Sequence, residues 1–164
     1  MKRSIHLTRQ LVALLVLAFS GSAFAAGSHA GDGAHGHEES AIGQPGLVKR
    51  VNRTITIVMD DRMRYTPSAL AVKQGETLRL IIRNKGQVQH ELSLGTQQDL
   101  LEHLEQMKKF PGMAHDEPGK VTLGPGQQGE IVWQFTKSRT LYFACLIPGH
   151  YEAGMKGVIK VSRQ

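Results

Sequence analysis

The chain has 164 residues, 40% of them apolar and 21% charged, with 20 Lys and Arg against 14 Asp and Glu. That length accommodates one ordinary globular domain and excludes a multidomain enzyme. The positive balance is partly an address: Lys2, Arg3 and Arg9 fall in a leader-like stretch, and setting those three aside lowers the excess from +6 to +3, which leaves nucleic-acid binding without its electrostatic argument.

Residues 1–25 read as a signal peptide. The basic residues precede an apolar run from Leu11 to Phe19, too short to span a bilayer, and Ala23-Phe24-Ala25 supplies small residues for cleavage. Export and a periplasmic location are therefore expected, with no membrane span in the mature form. Residues 26–46 consist mostly of Gly, Ala, Ser, His and acid, with Ile42 as the one large apolar residue. Such a stretch buries too little to offset its ordering entropy, so a disordered His-rich arm is expected. Its His29, His35 and His37 are either a solvated tail or a set of imidazoles for scavenging metal.

From residue 47 to 164 the texture is that of one folded domain. Ile55, Ile57 and Met59 alternate along a first predicted strand; Leu78, Leu80 and Ile82 along a second; Ile131, Trp133 and Phe135 along a third. Turn residues separate them at Lys73-Gln74-Gly75, Asn84-Lys85-Gly86 and Gly124-Pro125-Gly126. Short strands at this spacing predict an all-β, two-sheet antiparallel sandwich or barrel. Between Gln97 and Phe110 the period changes. Leu100, Leu104 and Met107 recur at helical spacing, Thr96 and Asp99 can form a cap, and Phe110-Pro111-Gly112 ends the run. This predicts one short helical insertion lying across the sandwich, with Met107 in its core. Met59, Met63 and His103 read as packing or surface residues.

The densest chemistry lies between Tyr142 and Gly157. Cys145, His150 and Met155 follow the spacing Cys-x4-His-x4-Met, with Pro148-Gly149 to turn the chain and Gly154 and Gly157 to let it curl. Cys145 is the sole cysteine, so it is a buried spectator, an intermolecular bridge, a nucleophile or a metal ligand. A Cys-His nucleophile pair lacks an orienting Asn or Asp on the loop and leaves Met155 without a role. Upstream, period two places His90 on the apolar face of Val88, Leu92 and Leu94, an odd position for an unpartnered imidazole. Two imidazoles, a thiolate and a weak thioether are the donor set of a blue-type copper centre; zinc more commonly takes a fourth strong ligand.

These residues carry a resemblance. With Met63-Arg64-Tyr65-Thr66-Pro67, Gly75-Glu76-Thr77, Asn84-Lys85-Gly86 and His90-Glu91, the loop of Cys145, His150 and Met155 resembles the cupredoxin family, the plastocyanin and azurin group. The helix, the following Phe110-Pro111-Gly112-Met113-Ala114-His115-Asp116-Glu117-Pro118 and the His-rich arm resemble exported copper-tolerance cupredoxins of the CopI type. The resemblance implies a Greek-key β-sandwich binding one copper, Cu(I) or Cu(II), through His90, Cys145, His150 and Met155. Met113 and His115, in a Pro/Gly-rich loop, are secondary candidates as soft donors or as a cover.

The function expected is copper tolerance by binding copper and controlling its oxidation state. The alternative is a soluble shuttle passing electrons between redox proteins. The partners expected are the copper ion and either a periplasmic redox protein or a copper exporter. An enzyme is not expected, because four protein donors leave no open position for substrate.

Overall fold

The computed structural model describes residues 40–110 and 117–163. The signal peptide, His29, His35, His37, Met113 and His115 lie outside the described residues.

Among the described residues, ten strands form two sheets. In chain order they are β1 (Gln44–Pro45), β2 (Arg53–Asp60), β3 (Arg64–Thr66), β4 (Ala69–Lys73), β5 (Thr77–Asn84), β6 (His90–Gly95), β7 (Lys120–Leu123), β8 (Gln128–Gln134), β9 (Thr140–Ala144) and β10 (Lys156–Ser162). One sheet runs β1-β8-β5-β2-β3 and the other β4-β10-β9-β6-β7. The alternation read from the sequence is what closes them: Ile57, Met59, Leu78, Leu80, Ile82, Ile131, Trp133 and Phe135 meet Leu92, Leu141, Phe143 and Ile159 in one buried layer. Tyr65 stands edge-on to Phe143, with ring centroids 4.9 Å apart.

Two features depart from the expectation. The sheets are mixed, not antiparallel, because β2 pairs parallel with β5 and β4 with β10. The chain reaches these partners by crossing between sheets and back, a long-range choice on which side-chain alternation is silent. The end of the predicted arm also belongs to the domain. Gln44 and Pro45 pair with Gln134 and Trp133, and the Trp133 indole N–H donates to the Ile42 carbonyl at 2.7 Å. A buried indole N–H requires an acceptor, and this edge supplies it; Pro45 is tolerated because the strand is an edge.

The helix α1 (Gln97–Lys109) forms where its periodicity placed it. The Asp99 backbone N–H donates to the Thr96 hydroxyl at 3.2 Å, and the Thr96 N–H donates back to the Asp99 carboxylate at 3.1 Å, a complete capping box. Leu100 and Leu104 pack with Ala144 and Leu146, and Met107 lies partly buried against them. The helix therefore covers the outer face of β9 and β6 around Ala144. No helix among the described residues is long and apolar enough to cross a membrane.

Candidate metal centre

Three donors converge at one end of the sandwich. His90 opens β6, Cys145 follows the last residue of β9, and His150 sits in the connection to β10. The ligating atoms of these three residues all lie within 4.8 Å of one another. His90 Nδ1 and His150 Nδ1 are 3.3 Å apart, and Cys145 Sγ is 3.3 Å from His150 Nδ1. His90 and Cys145 are fully buried at 0% exposure; His150 is partly exposed.

Local folding of the loop explains the convergence. Cys145 donates its N–H to the Met155 carbonyl at 3.1 Å, and Met155 donates to the His150 carbonyl at 3.0 Å. The His150 N–H in turn donates to Ile147 at 3.0 Å, so the stretch curls back on itself and Met155 returns beside Cys145, buried in the same core. Gly157, expected to help the loop curl, lies instead within β10. A Cβ there would fall 2.1 Å from Phe143 Cζ, so its missing side chain makes room for that ring. Val88, expected on the face of His90, is exposed because β6 begins only at His90.

The electrostatics of this corner favour the uncharged forms of the Cys145 thiol and the His150 imidazole. Burial pushes the Cys145 thiol up to about 12, although the Glu91 and Ile147 N–H groups oppose the shift; the Glu91 N–H lies 3.4 Å from Sγ. Without metal the sulfur is therefore a protonated, unreactive thiol at neutral pH. Burial and the neighbouring His90 hold the His150 imidazole below its usual value, which keeps its lone pair free. A cation that prefers thiolate and imidazole would take the place of the thiol proton here. The donor set fits copper.

Two carboxylates that sequence reasoning passed over support the donors. Asp61, in the turn after β2, accepts from His90 Nε2 at 3.0 Å and from the Gln87 N–H at 2.7 Å. Glu91 is 2% exposed. Its carboxylate accepts the Leu146 N–H at 2.9 Å and lies 3.8 Å from the Lys120 ammonium, fixing the backbone next to Cys145. The Tyr65 hydroxyl donates to the Glu91 carbonyl at 2.6 Å. The adjacency of His90 and Glu91 was a visible signal for Glu91; Asp61 had none beyond its place in a turn.

A two-sheet sandwich with a buried thiol and two facing imidazoles at one end defines a cupredoxin. Residues 52–162 match the family described as copper binding proteins, plastocyanin/azurin family, and the chain belongs to that family. It is 46% identical over 130 residues to the copper-resistant cuproprotein CopI of Rubrivivax gelatinosus, covering 79% of each chain. It is 36% identical to the protein of the same name from Pseudomonas aeruginosa, over 78% of this chain and 84% of that one. Among solved structures it superposes on reduced auracyanin from Roseiflexus castenholzii with a TM-score of 0.59 at 24% identity, over 68% of this chain and 98% of that one.

Proposed function

We propose that the protein is an exported, periplasmic copper-binding protein that contributes to copper tolerance by holding copper and controlling its oxidation state. Its ligands are His90, Cys145 and His150, with Met155 as the weak axial donor. The carrying observation is the meeting of two imidazole Nδ1 atoms and one thiol sulfur, all within 4.8 Å, from three places in the chain. Support for tolerance comes from the two relatives named copper-resistant cuproprotein, each matched over more than three-quarters of this chain.

When bound, copper supplies the one-electron chemistry that side chains lack. The protein's own task is to hold the donors still. His90 is locked between β6 and Asp61, Cys145 by its backbone bond to Met155, and Cys145 gives up its proton on loading. The single thiolate, from Cys145, would offset part of the charge of a copper ion held there.

Electron shuttling is the second reading. The partly exposed His150 is bordered by Ile147, Pro148 and Tyr151, a small apolar rim suited to brief docking. The first test is an optical and EPR spectrum of the Cu(II)-loaded protein. An intense sulfur-to-copper band that vanishes in Cys145→Ser is expected; a spectrum unchanged by the substitution refutes the centre. Deletion of the gene is expected to reduce growth in high copper, and growth equal to the parent's refutes tolerance. Rapid reduction by a host cytochrome combined with unaltered copper sensitivity favours the shuttle.

A further inference from the structure

His90 is held from behind by a charged group on an otherwise unrelated turn. Its ring has no solvent exposure, and its two nitrogens face opposite ways: Nδ1 toward His150, Nε2 toward Asp61. A carboxylate can only accept, so the proton of the neutral ring sits on Nε2 and the Nδ1 lone pair points at the other donors. The other oxygen of the Asp61 carboxylate accepts the Gln87 N–H at 2.7 Å, so the group is held from both sides.

The chain makes room for this contact. Gly86 passes so close that a Cβ there would lie 1.9 Å from Asp61 Oδ1 and 3.1 Å from His90 Nε2. The turn is pinned independently by Asn84, whose side-chain amide donates to the Val88 carbonyl at 2.8 Å and to the Leu123 carbonyl at 2.9 Å. Its side-chain oxygen accepts the Gly86 N–H at 2.8 Å. Asp61 therefore meets His90 through a passage that a larger residue at position 86 would close. Partners of this kind behind a metal-bound histidine set its tautomer and raise its basicity.

We propose that Asp61 is a positioning residue for the centre: its carboxylate fixes His90 as the Nε2–H tautomer and, through the ring, adds negative charge that favours oxidised over reduced copper. The inference rests on the copper reading above. No proton moves in the one-electron step, since the Nε2–H stays with the ring in both oxidation states.

The test has a metal-free arm and a loaded arm. In metal-free protein, 15N shifts of the His90 ring should show protonation at Nε2 alone, and Asp61→Ala should lose that single tautomer. Protonation at Nδ1 in the parent, or the same Nε2–H population in Asp61→Ala, overturns the proposal whether or not copper binds. In loaded protein, Asp61→Asn keeps the shape and removes the charge. It should lower the affinity for Cu(II) relative to Cu(I) about tenfold, a rise in potential of ~59 mV for a one-electron couple. Gly86→Ala, which keeps the carboxylate but pushes it off the ring, should move the potential in the same direction. A parent protein with its sulfur-to-copper band and a potential unmoved by both variants overturns the inference while leaving the copper reading intact. A parent protein without the band refutes the copper reading, and the tautomer result still decides the role of Asp61.

Discussion

The two histidines of the centre are built on opposite principles. His90 belongs to a strand, is fully buried, and is held by a side chain on its far nitrogen. His150 belongs to a loop, is partly exposed, and owes its position to the Ile147 carbonyl and the curl of the chain. The contrast shows how one site can be rigid and reachable at once: the sandwich fixes one face of the donor set, and the loop presents the other to whatever arrives.

Truncating each histidine in turn is the strongest way to break this contrast. In metal-free protein, His90→Ala should cost about 3 kcal/mol of unfolding free energy, because it opens a sealed cavity and strips a partner from Asp61. His150→Ala should stay within about 1 kcal/mol. Denaturant unfolding measures both, and equal costs would abolish the distinction. In the corresponding glycine variants, added imidazole should restore the visible band at lower concentration for His150→Gly than for His90→Gly.

Acid and alkali should act on His150 and Cys145 through different limbs of a stability curve. The His150 imidazole is depressed in the folded protein, so the unfolded chain takes up its proton first, and stability falls as pH drops below about 6.5. The Cys145 thiol is raised to about 12, so the folded protein keeps a proton that the unfolded chain releases. Stability therefore falls as pH rises above about 8.5, by up to ~1.4 kcal/mol per pH unit for this one proton. Thermal melts of metal-free protein should lose part of the alkaline limb in Cys145→Ser and the corresponding part of the acid limb in His150→Ala.

The smallest effect concerns the tie between α1 and the loop. Lys108 Nζ lies 3.0 Å from Glu152 and 2.9 Å from Glu105, with both partners exposed. Lys108→Ala should change unfolding free energy by less than about 0.5 kcal/mol. A larger loss would mean that the helix, and not the loop's own backbone bonds, holds His150 in place.

What was legible in the sequence was whatever is written locally. The alternation of Leu78, Leu80 and Ile82 gave a buried strand face, Thr96 and Asp99 gave a helix start, and Cys145, His150 and Met155 gave a loop of donors, because each signal spans a few neighbouring residues. His90 was found because an imidazole on an apolar face needs a reason. The missing pieces are long-range. No local signal says that β2 lies parallel to β5, that the Trp133 indole will recruit Ile42, or that Asp61, between two other charged residues in a hairpin turn, will face a histidine 29 positions away. Lys120 was equally silent, since it reads as an ordinary surface charge until β7 pairs with β6 and brings its ammonium 3.8 Å from the Glu91 carboxylate.

The coverage of β9 and β6 by α1 has a kinetic consequence. Leu100, Leu104, Ala144 and Leu146 cluster beneath the helix and His90 and Cys145 are fully buried, whereas His150 is partly exposed, so an ion held there would come and go by way of the hairpin that carries His150. Residence time should then track how often that hairpin opens rather than how strongly each donor grips. Whatever exchanges an ion with this corner of the sandwich would then meet the His150 side first.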